Sequence, residues 1–302
     1  LPHLRRAVYE NLIKAENLIE EIADCGLRIA ELKSKIQNPK SEIIIQEADF
    51  DADTFNEILI RTPQLNLFFS PHNGGSLIEM DYRPKCVNLS NTLSRWEEGY
   101  HHRVKRQSSE TNKGEAKSIH DLTVSKEEDL EKYLFFDKYQ RVSLVDHFLK
   151  KEETLDAFRM STYEELGDFI DRPYESRGQG SGVRGQNDKA VNIILSREGK
   201  VKNYDMRVEK QLFIKGNEID IKYLVTNLAM QSPPPPFNKG GGGGDLRFGV
   251  EFNLVLPCCD GPDGFYDIQP AYSPFKKGGA GGDLGLGSAG EIAGIRQISM
   301  VD

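Results

Sequence analysis

The chain has 302 residues, of which 38% are apolar and 28% charged, with a formal net charge of −8. That length holds one large domain or two smaller ones around a substantial core. The acidic balance excludes a nucleic-acid partner, which calls for a basic patch, and no window approaches the roughly 18 consecutive apolar residues of a membrane span.

The first residues enter a helix at full stride. Leu4, Val8, Leu12, Ala15, Leu18, Ile19 and Ile22 form a stripe of helical period, and such a stripe needs a partner surface. Gly26 is the expected terminator. From about Ser41 the pattern changes to short β-type runs: Ile43 to Ile45, Phe55 to Ile60, Leu65 to Phe69 and Leu77 to Tyr82. Asp51 to Asp53, Thr62-Pro63 and Pro71 to Gly75 separate them as turns. Spacing of about ten residues predicts an antiparallel sandwich or barrel. Residues 104–128 are polar and read as a long exposed loop, with a short helix over Lys126 to Leu134. Strands resume at Ala190 to Ser196, Tyr204 to Phe213, Ile219 to Thr226, Phe248 to Leu256 and Ile295 to Val301. Arg197 to Lys200 and Lys215 to Asn217 read as hairpin loops.

Four cysteines, Cys25, Cys86, Cys258 and Cys259, show neither a CxxC spacing nor a histidine at zinc-ligand distance. A reducing, cytoplasmic setting without metal or cofactor is expected. No secretory signal opens the chain. Leu1 starts mid-helix without an initiator Met and the end looks like a strand cut off, so a fragment of a longer protein is expected. One repeat stands out: PFNKGGGGGDL at 236–246 and PFKKGGAGGDL at 274–284 agree at nine of eleven positions. The glycine run lacks the order of a phosphate loop, and two loop insertions fit it better.

Four groups of side chains carry candidate chemistry. Glu79 and Asp81 sit at i, i+2 on a predicted strand, on one face and about 7 Å apart. They read as a glycosidase pair, or as a solvated or domain-interface face. Trp96, the only tryptophan, lies with Tyr100, His101 and His102. An aromatic platform beside hydrogen-bonding groups suits sugar, and a core or interface aromatic is the plainer reading. Tandem histidines point apart, which weakens a metal site. Asp137, Lys138, Tyr139, Arg141, Asp146 and His147 form a dense ionisable group among aromatics. Without a GxSxG-type nucleophile they read as a buried polar network that fixes loops to the sandwich. His3, Arg5 and Arg6 at the helix start suit contact with a neighbouring domain.

LPHLRRAVYENLIKAE at 1–16, GGSLIEMD at 74–81, RWEEGYH at 95–101 and FDKYQRVSLVDHF at 136–148 together resemble one family. They are similar to the C-terminal half of glycoside hydrolase family 57 enzymes of the 4-α-glucanotransferase and α-amylase type. The resemblance runs from Leu1 to about Leu256. It implies a mainly-β fold, a galactose-mutarotase-like β-supersandwich preceded by a helix from a helical bundle. Residues 1–38 would end that helical domain and 39–302 form the sandwich, with Gly/Pro-rich inserts near 232–245 and 273–283. Family members retain anomeric configuration with two carboxylates on a (β/α) barrel. Neither has a counterpart in this chain, so the resemblance implies a non-catalytic portion that braces the barrel. The implied partners are an α-1,4-glucan through the catalytic domain and a second copy in a homodimer. A stand-alone carbohydrate-binding sandwich is the alternative. A mutarotase-like epimerase using His101, His102 or His147 rests on the fold alone.

Overall fold

The computed structural model describes residues 2–31, 43–90, 92–99, 101–102, 134–179, 190–228, 246–255, 265–270, 284–285 and 295–301. The expected 104–128 loop, nearly all of the 126–134 helix and nearly all of both glycine-rich segments lie outside these residues. Helix α1 spans Pro2–Glu31 and passes straight through Gly26, which is therefore not its terminator. An interior glycine costs only about 1 kcal/mol relative to alanine.

A five-stranded antiparallel sheet follows: β1 (Ile44–Ala48), β2 (Glu57–Arg61), β3 (Leu65–Ser70), β4 (Ser76–Tyr82) and β5 (Val87–Asn88), paired in chain order. A second sheet has the order β10-β9-β8-β7, formed by β7 (Glu175–Gln179), β8 (Val191–Val201), β9 (Tyr204–Lys215) and β10 (Glu218–Asn227). Between them in sequence lie β6 (Val145–Lys150) and the short helix α2 (Leu155–Arg159), and β6 pairs with β11 (Leu246–Glu251). Strands β12 (Phe265–Pro270), β13 (Leu284–Gly285) and β14 (Ile295–Val301) form a further antiparallel sheet. The mainly-β expectation holds.

Period-two alternation explains the core. Along β9, Met206, Val208, Lys210, Leu212 and Ile214 are buried and the residues alternating with them are half-buried or exposed. The apolar four share one core with Val191, Ile193 and Leu195 of β8, Ile58 and Ile60 of β2, and Leu65, Leu67 and Phe69 of β3. Strand β3 is buried on both faces because α1 and Phe50 cover its outer side: Asn66 meets Glu16, and the Phe50 and Phe68 rings lie 4.5 Å apart. A smaller cluster of Tyr139, Val142, Val145, Leu149 and Tyr163 packs beside the main core.

Several elements differ from expectation. Strand β8 runs through Arg197 to Lys200, and the reversal falls instead at Lys202-Asn203, with Lys202 at φ 53°. Gly199 is required inside that strand by contact, since a Cβ there would stand 2.2 Å from the Asp168 carboxylate, which accepts the Lys200 amide. The Gly216-Asn217 reversal between β9 and β10 is where the sequence places it. Strand β2 begins at Glu57 rather than Phe55, and β11 ends at Glu251. Strands β5, β6, β7, β12 and β13 and helix α2 have no counterpart in the sequence reading.

Candidate functional site

Four groups of buried charges organise the described residues. The first lies where α1 seats on the outer face of the five-stranded sheet. Its inward face carries Tyr9, Ile13, Glu16, Asn17 and Glu20, with Ile13 fully buried. Glu20 pairs with both Arg61 and Arg83. Arg83 also donates to Asn17 Oδ1 at 3.0 Å and to the Thr62 carbonyl at 2.8 Å, and Asn66 donates to Glu16 at 3.1 Å. Glu79 and Asp81 lie beneath this seat. The solvated-face expectation is overturned for Asp81, which is buried with neither carboxylate oxygen hydrogen-bonded. Burial, then the neighbouring charge of Asp81, pushes Glu79 up to about 8. Burial, then the charge of Glu16, raises Asp81 to about 6.

Second is a centre around His147. Strands β6 and β11 bring His147 to Glu251, and the segment after α2 supplies Glu165. His147 Nδ1 lies 2.9 Å from Glu165 and Nε2 lies 3.1 Å from Glu251. Tyr139 donates to Glu251 at 2.5 Å, and Tyr163 donates to Tyr139 at 3.4 Å. The second oxygen of each carboxylate is also engaged: Glu165 accepts the Phe148 amide at 2.7 Å, and Glu251 accepts Asn253 at 2.9 Å. Rings of Phe158 and Tyr163 stand edge-on to the imidazole. Burial alone would lower the affinity of His147 for its proton, but the hydrogen bonds it donates to Glu165 and Glu251 outweigh it and raise the group to about 9. At neutral pH this is an imidazolium with both N–H groups engaged. It offers no lone pair to a substrate, so His147 is not placed to act as an epimerase's base.

Adjacent strand residues point to opposite faces, so Asp146 does not join His147. It faces the main core, where its Oδ2 lies 3.0 Å from Lys210 Nζ and accepts the Tyr174 hydroxyl at 2.6 Å. Lys210 is fully buried and donates to the carbonyls of Gly74 (2.8 Å), Gly75 (3.0 Å) and Leu144 (2.7 Å). The two glycines, at φ 72° and 54°, turn their carbonyls inward, and a Cβ on Gly75 would meet the Tyr174 ring at 3.0 Å. The expected single network of Asp137 to His147 is thus divided among separate centres.

A fourth group holds the segment around Trp96. Asp137 accepts the Arg95 amide at 2.7 Å, pairs with its guanidinium, and has Arg141 at 3.8 Å. Burial opposes ionisation there, but the Arg95 hydrogen bonds win and hold Asp137 below the usual carboxylate range. Lys138 donates to the Tyr163 carbonyl at 2.5 Å and sits over that ring. Trp96 is 51% exposed. His101 accepts the Glu98 amide at 2.8 Å and packs on Phe136, while His102 is exposed, 3.9 Å from Glu97. Tyr100 lies outside the described residues. Glu165, Glu251, Tyr163, Tyr174, Lys210, Glu16, Glu20, Arg61 and Arg83 were absent from the sequence candidates. For Lys210 a signal exists: it occupies an inward position of an otherwise apolar alternation in β9.

A family model described as "Alpha-amylase/4-alpha-glucanotransferase, C-terminal" matches residues 49–280. The chain is 31% identical over 268 residues to "Alpha-amylase 1" of Dictyoglomus thermophilum, covering 88% of this chain and 33% of that protein. It is 33% identical over 261 residues to a 4-alpha-glucanotransferase of Thermococcus litoralis, covering 85% and 33%. The crystal structure of 4-alpha-glucanotransferase from Thermococcus litoralis superposes with a TM-score of 0.61 at 28% identity, over 89% of this chain and 34% of that one. The chain therefore spans about a third of the length of these relatives. It belongs to the α-amylase/4-α-glucanotransferase family and carries that family's C-terminal domain.

Proposed function

We propose that this chain is the non-catalytic C-terminal portion of a retaining, α-glucan-acting enzyme of glycoside hydrolase family 57, and that it braces the catalytic barrel. The observation that carries this is the two-sidedness of α1. The face with Ile13, Glu16 and Glu20 is locked to the sheet. The opposite stripe, Leu4, Val8, Leu12, Ile19 and Ile22, stands 43–71% exposed. An exposed apolar helix stripe of this size needs a further surface. The helix is then a connector whose polar face grips the sandwich and whose apolar face grips the rest of the enzyme. Relatives named for hydrolysis and for transfer match this domain alike, so the brace serves both. Trp96, exposed on a segment pinned by Arg95 and Asp137, offers a ring for glucan. Cys86 is a free thiol, in keeping with a cytoplasmic setting.

Val8→Asp and Ile19→Asp test the brace in the whole enzyme. Both are expected to lower its melting temperature and its activity on amylose together, while the isolated chain keeps its own melting temperature. Unchanged enzyme activity would sink the brace. In that case the stand-alone binding module predicts that maltoheptaose alters the fluorescence of the single tryptophan in the isolated chain.

A further inference from the structure

The turn between β1 and β2 holds carboxylates that the brace does not use. It reads Asp49-Phe50-Asp51-Ala52-Asp53-Thr54-Phe55-Asn56-Glu57, with aspartates at 49, 51 and 53 and a glutamate at its close. One carboxylate oxygen from each of Asp49, Asp51 and Glu57 lies within 4.8 Å of the others. Asp49 and Asp51 are exposed, but Glu57 is fully buried. Glu57 Oε2 accepts the Phe50 amide at 2.9 Å, and its Oε1 is buried with no hydrogen-bond partner. A native structure rarely leaves such an oxygen unmet unless an ion or water meets it.

The main chain is wrapped around these acids. Asp49 accepts the amides of Asp53 (3.0 Å) and Thr54 (3.1 Å), and Asp53 accepts that of Phe55 (2.8 Å). Ala52 and Thr54 take left-handed backbone, at φ 63° and 80°. Each amide occupies one lone pair and leaves the carboxylates able to accept more. A divalent cation would compensate the carboxylates gathered in this turn. The donor set is all oxygen, which selects hard cations over zinc or copper. Irregular geometry with mixed exposure suits calcium, since magnesium demands near-ideal octahedra.

We propose that the 49–57 turn is a calcium site in which Asp49, Asp51 and the buried Glu57 supply carboxylate oxygens. Sequence analysis expects no metal here, and the site emerges from the burial of Glu57 beneath two exposed acids. Bound calcium fixes the turn that packs Phe50 at a tilt against Phe68 and stacks Phe55 on His72, at ring separations of 4.5 and 3.3 Å. Its role is to tie the β1–β2 edge to the sheet.

Thermal denaturation of the full chain, stripped with EDTA and titrated with calcium chloride, tests this alongside calorimetric titration. Calcium at about a hundredfold excess over its dissociation constant should raise the melting temperature by roughly 5 °C or more. Glu57→Gln, which keeps shape and removes charge, should abolish the rise, and Asp49→Asn should weaken binding at least tenfold. If Glu57→Gln fails to fold, Asp49→Asn on the exposed side carries the test alone. Absence of both a rise and a binding heat in the unaltered chain overturns the proposal. So does a rise that persists undiminished in the variants. An equal rise with magnesium overturns the assignment to calcium.

Discussion

The carboxylates under α1 and those around His147 are buried to similar depth, yet they solve the problem of buried charge in opposite ways. At His147 two glutamates face one imidazolium, and each carboxylate also receives a backbone or amide donor. Under α1, Glu79, Asp81 and Glu16 crowd together, while Arg83 pairs with Glu20 beside them and Arg61 with both Glu20 and, at 3.7 Å, Glu16. Asp81 makes no well-formed hydrogen bond, although the side chains of Asn66, Asn88 and Glu79 stand close enough to favour its ionised form. The difference teaches what each region is for. A fully matched ion set holds loops rigidly to the core. A patch of acids with incomplete compensation weakens the seat of a helix and makes it respond to pH.

The largest effect is expected where an ion pair lies deepest, with both side chains fully buried. Asp146→Ala strands the Lys210 ammonium in the core with only carbonyls around it. Breaking one side of such a pair costs about 3–5 kcal/mol, read as a fall in the urea midpoint. Asp146→Ala/Lys210→Met should recover much of it, and a loss below about 1 kcal/mol in the single variant would show that the pair is not what holds the Gly74-Gly75 turn. Next comes His147, whose proton affinity is raised on folding to about 9. The stabilisation is therefore complete below the unfolded value near 6.5 and is lost as pH rises toward 9. The loss should approach about 3 kcal/mol across that window, and His147→Gln should flatten it. An unaltered slope in that variant would place the titration elsewhere.

Much of the sheet architecture was legible, and the reasons for the failures are physical. Strands β2 to β4 and β8 to β10 announce themselves because apolar residues alternate or run continuously between turn residues. Strand β6 does not. Its Asp146 and His147 are both buried, one on each face, so polarity and burial cease to correlate. Arg197 to Lys200 has the composition of a turn, but unbroken pairing of β8 with β9 overrides it. The stripe on α1 reveals a helix with an apolar face. It gives no sign that the opposite, polar face is the one seated on the sheet. For the buried centres, the partners of His147 lie 18 and 104 residues away, a pairing that only the folded chain brings about. Of the missed residues, Lys210 alone carried a local mark, as the single charge in an inward-facing row.

The smallest effect has the opposite sign and separates the two regions most cleanly. Glu79 binds its proton more tightly folded than unfolded, because burial and then the charge of Asp81 penalise its ionised form. Its contribution is unpenalised below the unfolded value near 4.5, and stability falls as pH rises from there toward about 8. Glu79→Gln removes the charge while keeping the shape. It should leave stability at pH 4.5 almost unchanged and raise it at pH 8.5 by about 1–2 kcal/mol, well short of the full shift because Glu79 shares its proton with Asp81 and is only half-buried. His147→Gln can only lower stability at neutral pH, since it leaves Glu165 and Glu251 without their shared cation. Denaturant curves of both variants at pH 4.5, 7 and 8.5 decide the matter. A destabilised Glu79→Gln at pH 8.5 would mean that the acids under α1 are matched after all, and that the helix seat is as rigid as the His147 centre.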